Sequence, residues 1–306
     1  MRIRQLTTNY LPWFFIMILA GCHPKDTPQP GAVPANLLAT VKHDSVITLT
    51  EQVDFSTVSE TGLGPQGSLI RWNKNNPDNP FKVMTYDPKN RLIGTLERFG
   101  THEEIVKARY QGDYLAESFV TDRVIAQSLP LSNLRPLVVT RYKYGNDKRL
   151  KQALRYIFWQ EGRFKLTESV QYEYDPKGQL EITRYIARQE GNRFSSTLRY
   201  WENGDYTRVE DFPSNATPSV GKLYYNQQPD PSTHLNLLPM YQLSEHYLIG
   251  SGVLGSTASP YNTTVDYEYQ HDAQGRLVTT RFRNLISYDP IRWSDWGPIN
   301  QFTYAP

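Results

Sequence analysis

The chain has 306 residues, enough for one large or two ordinary domains. Hydrophobic residues make up 39%, aromatic residues 13% and charged residues 21%, which excludes a polytopic membrane protein and a chain disordered throughout. The formal net charge is +2 and there is one Cys, so no intrachain disulfide and no Cys-rich zinc site can form.

The first predicted element is a targeting segment. Arg2 and Arg4 give a positive start, and Leu11 to Ala20 is an uncharged apolar run, short for a bilayer span. It ends in Leu19-Ala20-Gly21-Cys22, with the cysteine directly after small residues. This tetrapeptide resembles the lipobox of bacterial lipoproteins. The resemblance implies cleavage between Gly21 and Cys22, acylation of the Cys22 thiol, and the membrane as a partner through that lipid anchor. More than one acyl chain holds a protein on a bilayer far more firmly than one does. Position 23 is His, where an Asp is associated with inner-membrane retention, so the resemblance implies the outer membrane of a bacterial envelope. Residues 1–21 carry two Arg and no acid; beyond them 31 basic residues balance 31 acidic ones, and no basic patch suited to nucleic acid is visible.

Residues 22–40 contain Pro24, Pro28, Pro30 and Pro34, a composition that favours extended polyproline conformation at about 3.1 Å per residue. They are expected to form a tether, with one domain over 41–306. That domain reads as all-β, an antiparallel β-meander of consecutive hairpins. In chain order, Thr85 to Leu92 spans a strand end and a turn. His102 to Tyr110 is expected as a strand, because Gln111-Gly112-Asp113 turns into Tyr114 to Phe119. Tyr142 to Leu150 repeats the first pattern. In Phe164 to Tyr174 the residues Phe164, Leu166, Glu168, Val170, Tyr172 and Tyr174 alternate with Lys165, Thr167, Ser169, Gln171 and Glu173, which predicts one half-buried strand. Asp175-Pro176-Lys177-Gly178 turns into Leu180-Glu181-Ile182, and Phe194 to Tyr200 meets a turn at Glu202-Asn203-Gly204-Asp205. Residues 235–249 are the best candidate for a short helix, interrupted by Pro239, and 254–263 read as a loop. Val265 to Tyr269 is a last clear strand.

Four of these units share a sequence. Tyr86-Asp87-Pro88-Lys89-Asn90-Arg91-Leu92, Tyr144-Gly145-Asn146-Asp147-Lys148-Arg149-Leu150 and Tyr174-Asp175-Pro176-Lys177-Gly178-Gln179-Leu180 are three. The fourth is Tyr267-Glu268-Tyr269 followed by Asp272-Ala273-Gln274-Gly275-Arg276-Leu277, read with two extra residues in its turn. They resemble the YD repeat of RHS-type proteins, Tyr-x-Tyr-Asp-x-x-Gly-Arg-Leu. Physically, Asp at the strand end caps the turn and Gly takes a positive φ. The resemblance implies consecutive hairpins; four units are too few for the large closed shells of that family. The nearer likeness is to small bacterial lipoproteins with a few such hairpins.

Reactive chemistry is scarce. There is no P-loop, Gly-x-Ser-x-Gly or His-x-x-x-His, and His102-Glu103 and His271-Asp272 are sequence neighbours that point to opposite faces of a strand. No catalytic residue, metal ligand or cofactor site is expected, and an acid pair of hydrolase type cannot be recognised from a meander. Trp201, Trp293 and Trp296 lie near turns or the C-terminal region and are candidates for a glycan-stacking platform, against the commoner use of such rings in cross-strand packing. The expected role is a non-catalytic envelope lipoprotein that binds or supports an envelope protein or glycan.

Overall fold

A computed structural model describes residues 33–39, 43–74, 82–127, 129–187, 193–213, 218–229, 246–254, 262–288, 291–297 and 299–306. Among them there is no α-helix. The strands are β1 (Val46–Thr48), β2 (Leu69–Lys74), β3 (Lys82–Tyr86), β4 (Leu92–Phe99), β5 (His102–Gln111), β6 (Tyr114–Val124), β7 (Val138–Tyr144), β8 (Leu150–Gln160), β9 (Arg163–Tyr174) and β10 (Leu180–Ala187). They continue as β11 (Arg193–Glu202), β12 (Asp205–Pro213), β13 (Ser219–Pro229), β14 (His246–Leu254), β15 (Asn262–His271), β16 (Leu277–Tyr288), β17 (Ile291–Trp293) and β18 (Asn300–Tyr304).

Each strand from β2 to β16 pairs antiparallel with the next, as hairpin-length turns require. The sheet closes on itself through β18, which pairs with β2 on one edge and with β16 on the other, the latter at Thr279–Gln301 and Thr280–Asn300. The meander is therefore a closed barrel. β1 prolongs the sheet along β9, and β17 shares the edge of β16 with β18. The expected strand over 102–110 is β5. Of the helix expected over 235–249, residues 246–249 lie in β14 instead; the rest falls outside the described residues. The loop expected over 254–263 loses its two ends to β14 and β15, and 255–261 lie outside the described residues.

Both faces of the sheet bury apolar side chains. One face, here the layer face, carries Val83, Leu96, Ile105, Phe119, Val139, Leu154 and Tyr156, and residues 47–58 together with Leu131 and Leu134 cover it. Phe55, in the 3₁₀ turn Phe55–Thr57, is 0% exposed there. The second face buries Ala108, Tyr142, Ala153 and Tyr172 with Leu37, and further round the barrel Trp72, Met84 and Phe302. Leu37 belongs to the Ala35–Leu37 turn, and the Ala39 amide donates to the Tyr144 carbonyl at 2.7 Å. The folded body thus begins before residue 41, the boundary expected from proline content.

This two-sidedness corrects the reading of Phe164 to Tyr174 as one apolar face. Arg155 pairs with Glu168 and Tyr156 with Leu166, so Thr167 is an extra residue in β9, and its hydroxyl donates to the Arg155 carbonyl at 3.2 Å. A bulge of one residue flips the alternation. Phe164 and Leu166 therefore pack under the covering layer, while Val170 and Tyr172 join the second face.

The turns expected at 87–90, 145–148, 175–178 and 270–275 are hairpin tips on one rim of the barrel, the repeat rim. Leu180 pairs with Tyr174, Leu92 with Tyr86 and Leu150 with Tyr144. In the fourth unit Leu277 pairs with His271. Gln270 and His271 belong to β15 and are not extra turn residues; His271 occupies the place of the repeat tyrosine.

In the turn after β9, the Gly178 amide donates to the Asp175 carbonyl at 2.9 Å and the Gln179 amide to the Asp175 carboxylate at 2.8 Å. Gly178 has φ +90°, and a Cβ built there would lie 2.5 Å from Arg149 Nη2. Gly178→Val should lower stability by about 1–3 kcal/mol, the scale of a forced backbone outlier. Lys177→Ala should melt with the wild type; equal melting of all three proteins would refute the turn geometry.

Candidate functional site

The repeat rim is built by one local device. The Asp87 carboxylate accepts from the amides of Lys89 and Arg91, both at 2.9 Å, and pairs with the Arg91 guanidinium at 2.6 Å. Asp272 repeats this with the amides of Gln274 and Arg276 and the Arg276 side chain at 2.7 Å. Desolvation pushes both carboxyls up, but the amide and guanidinium hydrogen bonds outweigh it and hold them below the ordinary aspartate value. Where the repeat lacks Gly, Asn90 and Lys148 take the positive φ themselves, at 59° and 64°. The repeat arginines then stack on tyrosines of neighbouring strands, Arg91 over Tyr110 at 4.5 Å and Arg276 over Tyr304 at 4.7 Å.

Just past the paired part of four neighbouring strand pairs, β4–β5, β6–β7, β10–β11 and β16–β18, an aromatic side chain bridges the gap. Tyr110 donates to the Leu92 carbonyl at 3.1 Å, Tyr144 to Leu115 at 3.0 Å and Tyr304 to Leu277 at 2.8 Å. Trp201 does the same with its indole N–H to Leu180 at 2.8 Å. Its position in the sequence matched that of the tyrosines at strand ends, a signal present but not used.

Trp293 and Trp296 are brought together far from Trp201, which lies on β11, five strands from β16. Arg283 lies 5.0 Å from the Trp293 ring and 4.6 Å from the Trp296 ring, and Arg281 lies 4.8 Å from Trp296. Arg283 pairs with Asp266 at 2.7 Å and Arg281 with Glu268 at 2.6 Å. The two rings thus rest on a ladder of paired charges on the layer face of β15 and β16. Gly21 and Cys22 lie outside the described residues. Among the described residues, no group of three or more His, Cys, Asp or Glu side chains is placed to hold a metal ion.

The opposite rim differs in chemistry. Of the thirteen large hydrophobic side chains that are exposed among the described residues, eleven belong to it, Leu63 and Tyr200 being the exceptions. Phe99 is 48% exposed, Trp159 53% and Phe194 56%. They flank the connections at 100–101, 161–162 and 188–192. Pairs of charges lie along the strands between the rims on both faces. Arg109, Glu117 and Arg141 stand on the layer face; Lys82 with Glu97 at 2.8 Å and Arg155 with Glu168 at 2.9 Å stand on the second.

No protein-family profile matches the chain. No curated protein matches it either. Solved structures do. A porin-like protein of Bacteroides uniformis is 12% identical and superposes with a TM-score of 0.51 over 79% of this chain and 99% of its own. A porin-like protein of Bacteroides vulgatus is 13% identical, with a TM-score of 0.43 over 78% of this chain and 99% of its own. A Tc holotoxin pore of Photorhabdus luminescens is 11% identical, with a TM-score of 0.33 over 71% of this chain and 12% of its own. The first defines the class by fold: a closed antiparallel barrel similar to that of a porin-like protein. At such identity the likeness extends to fold alone.

Proposed function

We propose that the chain is a lipid-anchored protein of a bacterial outer membrane whose barrel has a non-catalytic binding or structural role. The observation that carries the reading is Leu19-Ala20-Gly21-Cys22 after an apolar run. The fold similarity to a porin-like protein of Bacteroides supports an envelope setting. Anchoring, rather than spanning, fits the walls. A spanning barrel presents an apolar band about 25 Å tall to lipid, and here ion pairs stand within the strands on both faces, Glu117 with Arg141 on one and Arg155 with Glu168 on the other. A glycan- or polymer-binding role is a second reading, favoured by Trp293 and Trp296, whose rings both lie against Arg283.

The test is metabolic labelling. Expressed in a bacterium with labelled palmitate, the full chain should carry label and partition with membranes, and Cys22→Ser should lose the label. Equal label in both proteins would overturn the anchor.

A further inference from the structure

We propose that Glu104 is a proton-operated catch in the wall β4–β6: at neutral pH its carboxylate repels the strands beside it, and on mild acidification it takes up a proton and ties them together. The register places it. Glu97 of β4 lies directly opposite Glu104 of β5, and Glu104 directly opposite Asp122 of β6. Residues opposite one another in an antiparallel pair share a face and stand about 4.5–5.5 Å apart at Cα. Three carboxyls are therefore aligned across three strands on the second face, and like charges so placed destabilise a sheet. The neighbouring cations serve only the end of the row. Lys82, opposite Glu97 on β3, holds that residue at 2.8 Å. Arg155 of β8 acts on Glu104 from further off and is itself held by Glu168 at 2.9 Å. Among the described residues neither Glu104 nor Asp122 has an ion-pair partner. The nearest other titratable group on this face of β5 is His102, whose Nδ1 lies 3.1 Å from Thr101 Oγ1.

The electrostatics agree with the register. Water reaches the Glu104 side chain, yet desolvation by the surrounding wall, and after it the Glu97 charge, raise its carboxyl above the ordinary glutamate value. Lys82 and Arg155 offset part of this, and Asp122 adds to it. A folded-state value above the unfolded one means that the contribution to stability is complete below the unfolded value, about 4.3. It is lost as pH rises through the folded value. Once protonated, the carboxyl has an O–H to donate, and Glu97 and Asp122 offer acceptor oxygens across the gaps to either side. Uptake of one proton from water thus replaces a repulsion by a hydrogen bond between strands. All three residues lie two positions from a strand end, Phe99, His102 or Val124, so the rim opposite the repeat turns is the part that tightens. Glu103, next in the chain, is on the layer face and acts in the opposite sense at lower pH, because Arg98 and Arg123 hold it as an anion.

The test compares melts of the full chain and of Glu104→Gln between about pH 8 and about pH 5, a window in which Glu103 stays ionised. Glutamine keeps the shape and cannot ionise, and the difference between the two proteins cancels the other titrating groups. Glu104→Gln should melt about 1–3 °C above wild type at the alkaline end, and the gap should close at the acid end. In an Asp122→Asn background the gap should shrink, since one repelling neighbour is gone. In a Lys82→Met background it should widen, and in a His102→Gln background it should stay. A second readout does not depend on stability: in carbon-13 spectra of labelled glutamate, the carboxyl resonance missing from Glu104→Gln should titrate above most other glutamates. A gap that is absent, or equal at both ends, would overturn the proposal. So would a gap that disappears with His102→Gln, which would assign the response to the imidazole, or a Glu104 resonance that titrates with the rest.

Discussion

Glu103→Ala should be among the most damaging single substitutions in the barrel, costing about 3–5 kcal/mol, the price of leaving a buried partner charge uncompensated. The Glu103 side chain is 1% exposed on the layer face. Its two oxygens accept from Arg98 Nε at 2.6 Å and Arg123 Nε at 2.5 Å. Arg123 is 11% exposed and also holds Glu60 at 2.6 Å and the Leu129 carbonyl at 2.9 Å. Without Glu103, Arg123 keeps one anion from the covering layer and loses the one beneath it. Arg98 is 46% exposed, so water takes up most of its loss. In a chain of this size the melting temperature should fall by about 10 °C. A fall of less than about 2 °C would refute the account.

The same group gives a pH dependence. Desolvation pushes the Glu103 carboxyl up, but its hydrogen bonds to Arg98 and Arg123 and their charges outweigh that and hold it below the ordinary glutamate value. A folded-state value below the unfolded one means that the contribution is complete above the unfolded value, about 4.3. It is then lost as pH falls through the folded value. Melts of wild type and Glu103→Ala should therefore converge on acidification.

Phe55→Ala should cost about 3–5 kcal/mol, the range for removing a fully buried aromatic ring. Phe55 is 0% exposed and packs with Val53 and Val58 over Leu96, Ile105 and Phe119. The layer is also tied by polar contacts: Lys107 Nζ donates to the Asp54 carbonyl at 2.5 Å and to Thr57 Oγ1 at 2.9 Å, and the Ser59 amide to Thr85 Oγ1 at 2.8 Å. These hold the backbone in place, so the cavity cannot collapse freely. Beyond the melting shift, limited proteolysis should cleave within 43–63 sooner in Phe55→Ala than in wild type. Unchanged cleavage would show that the layer is held without the ring.

Strand identity and turn positions were legible in the sequence because both depend on neighbours in the chain. Asp175, Pro176 and Gly178 specify a turn by their own stereochemistry, and alternation over Val265 to Tyr269 places Tyr267 and Tyr269 with Phe282 on one face and Glu268 opposite Arg281 on the other. What escaped depends on distant residues. The bulge at Thr167 is invisible in a pattern that alternates without interruption. Closure through β18 pairs residues 300–304 with residues 69–74, and no local signal carries that. Burial of both faces was hidden for the same reason: Phe55 and Val58 lie in a segment with no strand pattern, and their partners are strands far along the chain. His271 could have been placed from sequence by counting back from Asp272 as in the other units. The apolar rim escaped because its members are single residues at separate strand ends, which only a closed sheet brings to one edge.

The seam at β18 governs the order in which the molecule can be made. Its partners β2 and β16 are separated by about 200 residues of chain, and joining them means closing a very long loop for few new hydrogen bonds. Every earlier intermediate that has formed its hairpins still exposes two strand edges, one at each end of the meander. Such edges recruit other chains, and assembly of this kind is slow because its decisive contacts are remote in sequence. The interval between hairpin formation and ring closure is thus when the protein is most vulnerable to aggregation, and when a holding chaperone would protect it most.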